Sequence, residues 1–372
     1  MSIKTIIIII LIIVIFGGLV LWRFVFTNEQ GNSSANSPSE NRFGFLTGDD
    51  NKFAKVTLTG AGWVRPHPGP FIWGQMQPDY SSDPISFRDT DKLVKEAGNS
   101  DLSILVTLWP YNSSDQKERS NAESCQFEGE FNEEFGSYRC NPNNWSAYES
   151  WVTAVIERYD GDGINDMPNL PVKIKYWEVL NEPDLNFGDT GPKGSTLSFF
   201  IGGPGEYQQL LERTYRAIKQ ADPEAFVLLA GAAGSNNHSL EFYSQVLQSA
   251  TARDSFDIAN IHCISSGDYA SLNVADYQKM LTDIGIARPI WVTEAETFIS
   301  GNPVINATQL KQSSAEALSL GVAKIFYTSI DFLTPPGGNK VINDKQPISL
   351  IPDPTLPVSD PVGTYQAIIN SL

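Results

Sequence analysis

Eight short apolar runs follow one another along the chain from residue 43 onward, and they constrain its fold more than any other feature. Each run has between six and eleven residues and is rich in β-branched and aromatic side chains, which is typical of buried strands. The sequence therefore predicts eight strands. They cover residues 43–48, 60–66, 102–110, 172–182, 225–231, 256–264, 289–296 and 323–332.

Amphipathic stretches separate most of these runs. The clearest is WSAYESWVTAVIERY, residues 145–159, whose apolar side chains recur at helical spacing and whose Ser146 and Glu149 have the spacing of a capping box. Further helices are predicted at residues 89–97, 206–223, 239–250, 274–284, 307–320 and 361–371.

Strands that alternate with helices specify a parallel sheet, and closure into a (β/α)8 barrel, the TIM barrel, leaves no strand edge unpaired. We therefore predict an α/β fold of this type. A doubly wound open sheet is the second choice. It would need a glycine-rich phosphate turn after its first strand, and the segment GFLTGDDNKF lacks the G-x-G-x-x-G spacing.

The first 26 residues, MSIKTIIIIILIIVIFGGLVLWRFVF, are predicted to form an N-terminal transmembrane helix that acts as a signal anchor. Residues 5–22 carry no charge, and a helix of this length can cross about 30 Å of hydrocarbon. Lys4 and the terminal amine favour a cytoplasmic N-terminus, so we expect a single-pass protein of the cell membrane with the remaining chain outside the cytoplasm. A cleaved signal peptide and secretion of the mature chain are the alternative.

A polar segment divides this N-terminal helix from the predicted strands. Residues 27–41 are rich in Ser, Asn and Gly and too polar to pack, so they are predicted to be a flexible linker. Residues 42–372 contain all eight predicted strands and are predicted to be the barrel domain.

The three cysteines fit an oxidising compartment only in part. Cys125 and Cys140 bracket one loop and could form a disulfide, whereas Cys263 falls on a predicted strand; three unpaired thiols are the alternative. The chain has no Cys-x-x-Cys pair and only three histidines, so neither a zinc site nor another cofactor is expected. The segment DGDGIND, residues 160–166, resembles a calcium loop, but Ile164 stands where an oxygen ligand is needed, which favours a tight turn.

Charge and aromatic content restrict the partners. A formal net charge of −17 repels nucleic acids and anionic lipid surfaces, so membrane contact is expected only through the N-terminal helix. Aromatic residues make up 11% of the chain. Core packing explains most of them, and stacking on the rings of a carbohydrate substrate is a second use.

Two predicted strands end in carboxylates. In YWEVLNEPD, strand alternation places Glu178 and Glu182 on one face, and Pro183 turns the chain out directly after Glu182. In PIWVTEAE, Glu294 and Glu296 share a face in the same way. Catalytic groups of such barrels lie at the C-terminal ends of the strands, and cleavage of a glycosidic bond needs two carboxyl groups. We therefore predict that Glu182 and Glu294 meet at one end of the barrel, with Glu178 as a structural acid below them.

These two motifs resemble the acid/base and nucleophile strands of the clan A glycoside hydrolases, the retaining (β/α)8 enzymes that include cellulases, β-xylosidases and β-galactosidases. The resemblance extends over nearly all of residues 42–372. It implies that Glu182 is the general acid/base, that Asn181 donates to the sugar 2-hydroxyl, and that Glu294 is the nucleophile. It also implies that Arg65, in WVRPH, supports the nucleophile and that His262, in NIHCIS, belongs to the site.

The chain departs from this family at two positions. Ile264 stands where a tyrosine often follows the histidine, and Tyr269 is a substitute from the next loop. The last predicted strand, KIFYTSIDF, lacks the tryptophan that commonly forms a platform for the sugar, which leaves Tyr327 or Trp109 for that role. The sequence thus predicts a retaining O-glycosidase acting on oligo- or polysaccharides. A non-catalytic carbohydrate-binding barrel is the alternative.

Overall fold

Eight parallel strands appear in the computed structural model, which describes residues 40–185, 197–264, 267–334 and 350–372. All eight predicted strands are confirmed, and each is shorter than its apolar run. They are β1 Phe43–Leu46, β2 Trp63–Arg65, β3 Ser103–Leu108, β4 Tyr176–Val179, β5 Phe226–Leu229, β6 Ala259–Cys263, β7 Ile290–Ala295 and β8 Lys324–Tyr327.

The strands form a closed ring in sequence order. Parallel pairing runs β5-β4-β3-β2-β1-β8-β7-β6. The two ends of that row meet through bridges between Leu228 and Ile258 and between Ala232 and Ile261. The predicted (β/α)8 barrel is therefore confirmed, and a doubly wound open sheet is excluded.

Helices occupy the connections between strands, and the seven predicted from periodicity are confirmed with small shifts of their ends. One boundary signal was misinterpreted, because helix Trp145–Tyr159 is capped by the side chain of Asn144, which accepts from the amide of Ala147 at 3.1 Å, and not by Ser146. The α-helices are α1 Phe53–Leu58, α2 Trp73–Met76, α3 Arg88–Asn99, α4 Ser113–Gln116, α5 Asn132–Phe135, α6 Trp145–Tyr159, α7 Pro204–Ala221, α8 Asn237–Val246, α9 Ala250–Arg253, α10 Val274–Asp283, α11 Pro303–Ser319 and α12 Pro361–Asn370.

Large apolar side chains fill the barrel interior near the N-terminal ends of the strands. The rings of Trp63 and Trp291 meet at 5.5 Å, and Trp291 stacks on Phe326 at 6.0 Å. Inward positions nearer the C-terminal ends carry polar residues instead, among them Arg65 and His262. Any chemistry in the barrel is therefore placed at the C-terminal ends of the strands, which we call the mouth.

A disulfide closes one loop of this barrel. Cys125 and Cys140 are bonded, with Cα atoms 5.4 Å apart, and Cys263 is a buried free thiol. Between the two bonded residues, the buried Arg139 guanidinium lies 4.7 Å from the ring centre of Phe135.

The predicted transmembrane helix, residues 1–26, and all but the last two residues of the predicted linker, residues 27–41, lie outside the described ranges. Within those ranges, no helix combines the length and the apolar character needed to cross a membrane.

Candidate active site

Two residues with left-handed backbone turn the chain at the end of β4. Leu180 has a φ of 72° and Glu182 a φ of 40°, a region that costs a residue with a side chain about 1–2 kcal/mol. Neighbouring strands hold the turn, because the amide of Leu180 donates to the carbonyl of Leu108 at 3.2 Å. The amide of Glu182 donates likewise to the carbonyl of Gly231 at 3.2 Å. The corner presents Asn181 and Glu182 at the mouth, both buried.

A β-bulge in β7 directs a second glutamate to the same place. Val292 pairs with Ile261 and Glu294 pairs with His262, so Thr293 is the extra residue. Bulges of this kind re-aim side chains near active sites. Simple alternation therefore fails at Thr293, and adjacent residues, Thr293 and Glu294, both reach the interior of the barrel.

Arg65, at the end of β2, joins the two strand ends. Its Nη1 donates to Glu294 Oε1 at 2.6 Å and its Nη2 donates to Asn181 Oδ1 at 2.6 Å. Its Nε donates to Glu178 Oε2 at 2.8 Å. All four side chains are buried. One guanidinium thus fixes the positions of Asn181 and Glu294 across the mouth.

Glu178 is the structural acid that the sequence favoured. It is fully buried, and besides Arg65 it accepts from Thr107 Oγ1 at 2.5 Å, from Asn260 Nδ2 at 2.6 Å and from the amide of Gly231 at 3.2 Å. These donors satisfy both of its oxygens. Glu178 therefore anchors Arg65 and is not available to a substrate.

His262 connects the two glutamates at the mouth. Its Nδ1 lies 2.8 Å from Glu182 Oε1 and 3.7 Å from Glu294 Oε1, and its Nε2 lies 2.9 Å from Thr293 Oγ1. One carboxylate oxygen of each glutamate and a ring nitrogen of His262 all lie within 4.8 Å of one another. Residues that are 112 positions apart in sequence (294 minus 182) thus meet at the mouth.

Burial shifts the titration of this cluster. It raises the pKa of Glu182 to about 7, with Arg65 opposing the shift and Glu178 adding to it. It also raises the pKa of Glu294, which the nearby His262 and Arg65 hold down. Burial lowers the pKa of His262 below its ordinary value. Direct hydrogen bonding to Arg65 distinguishes Glu294 from Glu182, so the arginine favours the ionised form of Glu294 more strongly.

The structure contradicts both predicted aromatic platforms. Tyr327 has no exposed surface, and its hydroxyl lies 3.2 Å from that of Ser314 on α11, because alternation along β8 turns Phe326 into the barrel instead. Trp109 is also fully buried. Its ring packs 4.2 Å from that of Phe135, and its Nε1 donates to a backbone carbonyl at 2.8 Å.

Two further side chains lie near the mouth. Tyr269 is half-buried, and burial raises the pKa of its hydroxyl, with Cys263 and Glu296 adding to the shift. The Glu296 carboxylate accepts from Thr328 Oγ1 at 2.9 Å. His67, which the sequence did not single out, packs among three aromatic rings, and burial lowers its pKa well below the ordinary value.

Among the residues that the structure describes, two groups of side chains have the spacing of metal ligands. One is the cluster of Glu182, His262 and Glu294, in which Arg65 already supplies a cation to Glu294 at 2.6 Å. The other is the segment of residues 160–166, where Asp166 accepts from two amides of its own turn at 2.7 and 3.0 Å. Both carboxylate sets therefore have partners within the protein.

Several residues of the site were missed in the sequence. Asn260 could have been found, because it stands two residues before His262 and so shares its face of the strand. Thr293 could not, since the bulge that turns it inward leaves no mark in the apolar pattern. Gly231 touches the site through its backbone alone.

A scan against family models and a search of curated proteins find no match to the chain. Solved structures do match it. A glucosidase from Croceicoccus marinus aligns with a TM-score of 0.59 and 16% identity, over 91% of this chain and 68% of that one. A monomeric β-xylosidase from Caulobacter crescentus CB15 aligns with a TM-score of 0.57 and 14% identity, over 80% of this chain and 61% of that one.

A third neighbour is xylanase 10B from Thermotoga petrophila RKU-1, whose structure is a complex with xylobiose. It aligns with a TM-score of 0.51 and 16% identity, over 82% of this chain and 88% of that one. The chain has the barrel fold of these glycoside hydrolases. The predicted resemblance to clan A glycoside hydrolases is therefore confirmed at the level of the fold. The chain spans about three fifths of the length of the β-xylosidase.

Proposed function

We propose that this chain is a retaining glycoside hydrolase in which Glu182 is the acid/base and Glu294 the nucleophile. The observation that carries the proposal is the distance between them. One oxygen of the Glu182 carboxyl group lies within 4.8 Å of one oxygen of the Glu294 carboxyl group. Retaining enzymes separate these groups by about 5–5.5 Å, whereas inverting enzymes need at least about 6.5 Å to admit a water molecule.

The first step needs an ionised nucleophile and a protonated acid. Glu294 attacks the anomeric carbon while Glu182 gives its proton to the leaving oxygen, and a covalent glycosyl-enzyme forms. The surroundings suit both roles, because Arg65 stabilises the charge of Glu294 and burial raises the pKa of Glu182 to about 7. Asn181 accepts from Arg65 through Oδ1, which leaves its amide hydrogens to donate to the sugar.

The second step reverses the role of Glu182. Once Glu294 has become an ester, Glu182 has lost its proton to the leaving group and takes a new one from water, which attacks the anomeric carbon and releases the sugar. The nearby negative charge of Glu294 is absent in this intermediate. Glu182 is therefore more readily ionised when it acts as a base than when it acts as an acid.

Neutral sugars are the proposed substrates. The net charge of −17 disfavours anionic polysaccharides. Two neighbours of the same fold carry the names β-xylosidase and xylanase, and a third is named a glucosidase. β-Xylosides and β-glucosides are thus the first compounds to examine.

One observation favours the alternative of a non-catalytic carbohydrate-binding barrel. Tyr327 and Trp109, the two candidates for an aromatic platform, are buried. Within the described ranges, neither therefore offers a face to a sugar. Turnover of any glycoside by the wild-type protein would exclude this alternative.

A panel of aryl glycosides tests the proposal. We expect hydrolysis of at least one β-xyloside or β-glucoside with retained anomeric configuration, followed by NMR. Glu294→Ala should abolish turnover, and azide should restore it with inverted product, because the anion fills the position of the lost carboxylate.

Glu296→Ala is the matched control for this variant. It removes a carboxylate two residues away that accepts from Thr328, and azide should not restore activity to it. Unchanged activity in Glu294→Ala, or azide rescue of Glu296→Ala instead, would overturn the assignment of the nucleophile.

We propose in addition that residues 1–26 anchor the protein in the cell membrane, with the barrel outside the cytoplasm. The uncharged stretch of residues 5–22 supports the anchor, and the disulfide between Cys125 and Cys140 supports an oxidising compartment. Carbonate extraction of membranes should leave the full-length chain in the pellet. A soluble chain whose N-terminus begins after residue 26 would instead establish cleavage and secretion.

A further inference from the structure

A continuous row of hydrogen bonds links the structural acid to the proposed acid/base. It begins at Glu178, passes through Asn260, Thr293 and His262, and ends at Glu182. The four links measure 2.6, 2.8, 2.9 and 2.8 Å. The first four side chains have no exposed surface, and Glu182 is 8% exposed. Water therefore has little access to these bonds, and the partners themselves determine the direction of each one.

The direction of the first two links follows from Glu178. A carboxylate only accepts hydrogen bonds, so the group of Asn260 that faces Glu178 must be its Nδ2 amino group. The Oδ1 of Asn260 then points the other way and can only accept. Thr293 therefore donates its single hydroxyl hydrogen to Asn260 Oδ1.

The remaining links determine the tautomer of His262. Because the hydroxyl hydrogen of Thr293 is already used, Thr293 Oγ1 must accept from His262, so Nε2 carries the hydrogen. The ring has no exposed surface, and burial lowers its pKa, which favours the neutral form. In that form Nδ1 is an acceptor. Its neighbour at 2.8 Å is Glu182 Oε1, which can complete the bond only as a carboxylic acid that donates its proton.

We propose that Asn260 and Thr293 are positioning residues that hold His262 in its Nε2–H tautomer and thereby keep Glu182 protonated. This inference rests on the proposed function. It explains how Glu182 is kept in its protonated, neutral form before the first step. After Glu182 has protonated the leaving oxygen, the lone pair of Nδ1 faces a new carboxylate. That repulsion favours recovery of a proton from water in the second step.

Other ionisable groups also face Glu182. They are Arg65 from β2, Glu178 from its own strand, Glu294 from β7, and Asp184 two residues further along the corner. A substitution of Thr293 leaves all of these charges in place. A change in the titration of Glu182 in such a variant would therefore come through the ring of His262.

Nitrogen NMR of histidine-labelled protein reads the tautomer directly. The chain has only three histidines, and a His262→Gln spectrum assigns the signal of interest. We expect Nε2–H in the wild type and in Thr293→Ser, which keeps the hydroxyl. In Thr293→Val the acceptor for Nε2–H is lost, so the ring should turn to Nδ1–H and donate to an ionised Glu182.

The pH dependence of kcat/KM supplies the second readout. Thr293→Val should lower the upper pKa of the profile by about one unit or more, because a donor to the carboxylate favours its charged form. Thr293→Ser should keep the wild-type value. Thr282→Val, on the exposed surface of α10, is the matched control and should keep it as well.

A hydrogen on Nδ1 of the wild-type ring, in the Nδ1–H tautomer or in the imidazolium, overturns the proposal, and this result does not depend on the folding of any Thr293 variant. An unchanged upper pKa in a folded Thr293→Val overturns it too. If the wild type hydrolyses no glycoside, the proposed function fails, yet the wild-type spectrum still decides whether Asn260 and Thr293 fix the ring.

Discussion

Gly231→Ala tests how closely the backbone of β5 fits the ring of His262. A Cβ on residue 231 would lie 2.5 Å from Cε1 of His262 and nearer still to Nε2. Ordinary contact begins at 3.4 Å, so the ring must withdraw by at least 0.9 Å, which is 3.4 minus 2.5. Its bonds to Glu182 and Thr293 measure 2.8 and 2.9 Å, and a displacement of that size breaks at least one of them.

A misplacement of about 1 Å in an active site costs roughly 100-fold in rate. We therefore expect Gly231→Ala to lower kcat/KM for an aryl glycoside by about two orders of magnitude, together with an overpacking cost of about 1–3 kcal/mol in the free energy of unfolding. Steady-state kinetics and thermal melts measure the two effects separately.

Two comparisons make this test specific. Gly205→Ala, on α7, would place its Cβ where no described atom beyond its chain neighbours and the adjacent helix backbone lies within 4 Å, and it should keep full activity. In a His262→Ala background the clash is gone, so Gly231→Ala should cause little further loss. Activity of Gly231→Ala within about fivefold of wild type, or additive losses in the double variant, would show that the contact does not position the ring.

Three further predictions follow from the titrating groups and the disulfide. Glu182→Gln should remove the basic limb of the pH profile and slow poor leaving groups far more than activated aryl glycosides; equal slowing of both would exclude Glu182 as the acid. Burial raises the pKa of Asp184 from 3.8 to about 7, so the free energy of unfolding should fall as pH rises from about 4 to about 7. Asp184→Asn should make this fall smaller in thermal melts at a series of pH values. An unchanged pH dependence of stability in Asp184→Asn would contradict the prediction. Cys125 and Cys140 are 15 residues apart, so reduction of their disulfide should lower the free energy of unfolding by up to about 3 kcal/mol. Denaturant titrations measure this change. An unchanged free energy of unfolding would show that packing alone holds the loop.

The barrel could be predicted because each strand is a separate apolar run and a closed ring leaves no edge to cover. It was harder to predict which side of a strand each residue occupies. In KIFYTSIDF both faces of the strand are apolar, so the pattern does not show that Phe326 points inward and Tyr327 outward. The misassigned sugar platform is a direct result of that ambiguity.

The two glutamates were found for a different reason. A charged residue at the end of an apolar strand is rare enough to be noticed, as Glu182 and Glu294 were. Their supporting residues are not rare in this sense, because Thr293 and Gly231 act through a hydroxyl and a backbone contact that fit an ordinary strand. Only the three-dimensional register, including the bulge at Thr293, brings them to the site.

The ion pairs of Arg65 also have an order in time during protein synthesis. Glu178 leaves the ribosome 113 residues after Arg65, whereas Glu294 leaves it 229 residues after Arg65. The difference is 116 residues (229 minus 113), so at about 5–20 residues per second Arg65 and Glu178 can pair roughly 6 to 23 seconds before Glu294 is made. The first half of the nascent chain thus already contains a partner for its own buried cation, whereas Glu294 can pair with Arg65 only after the second half has been made.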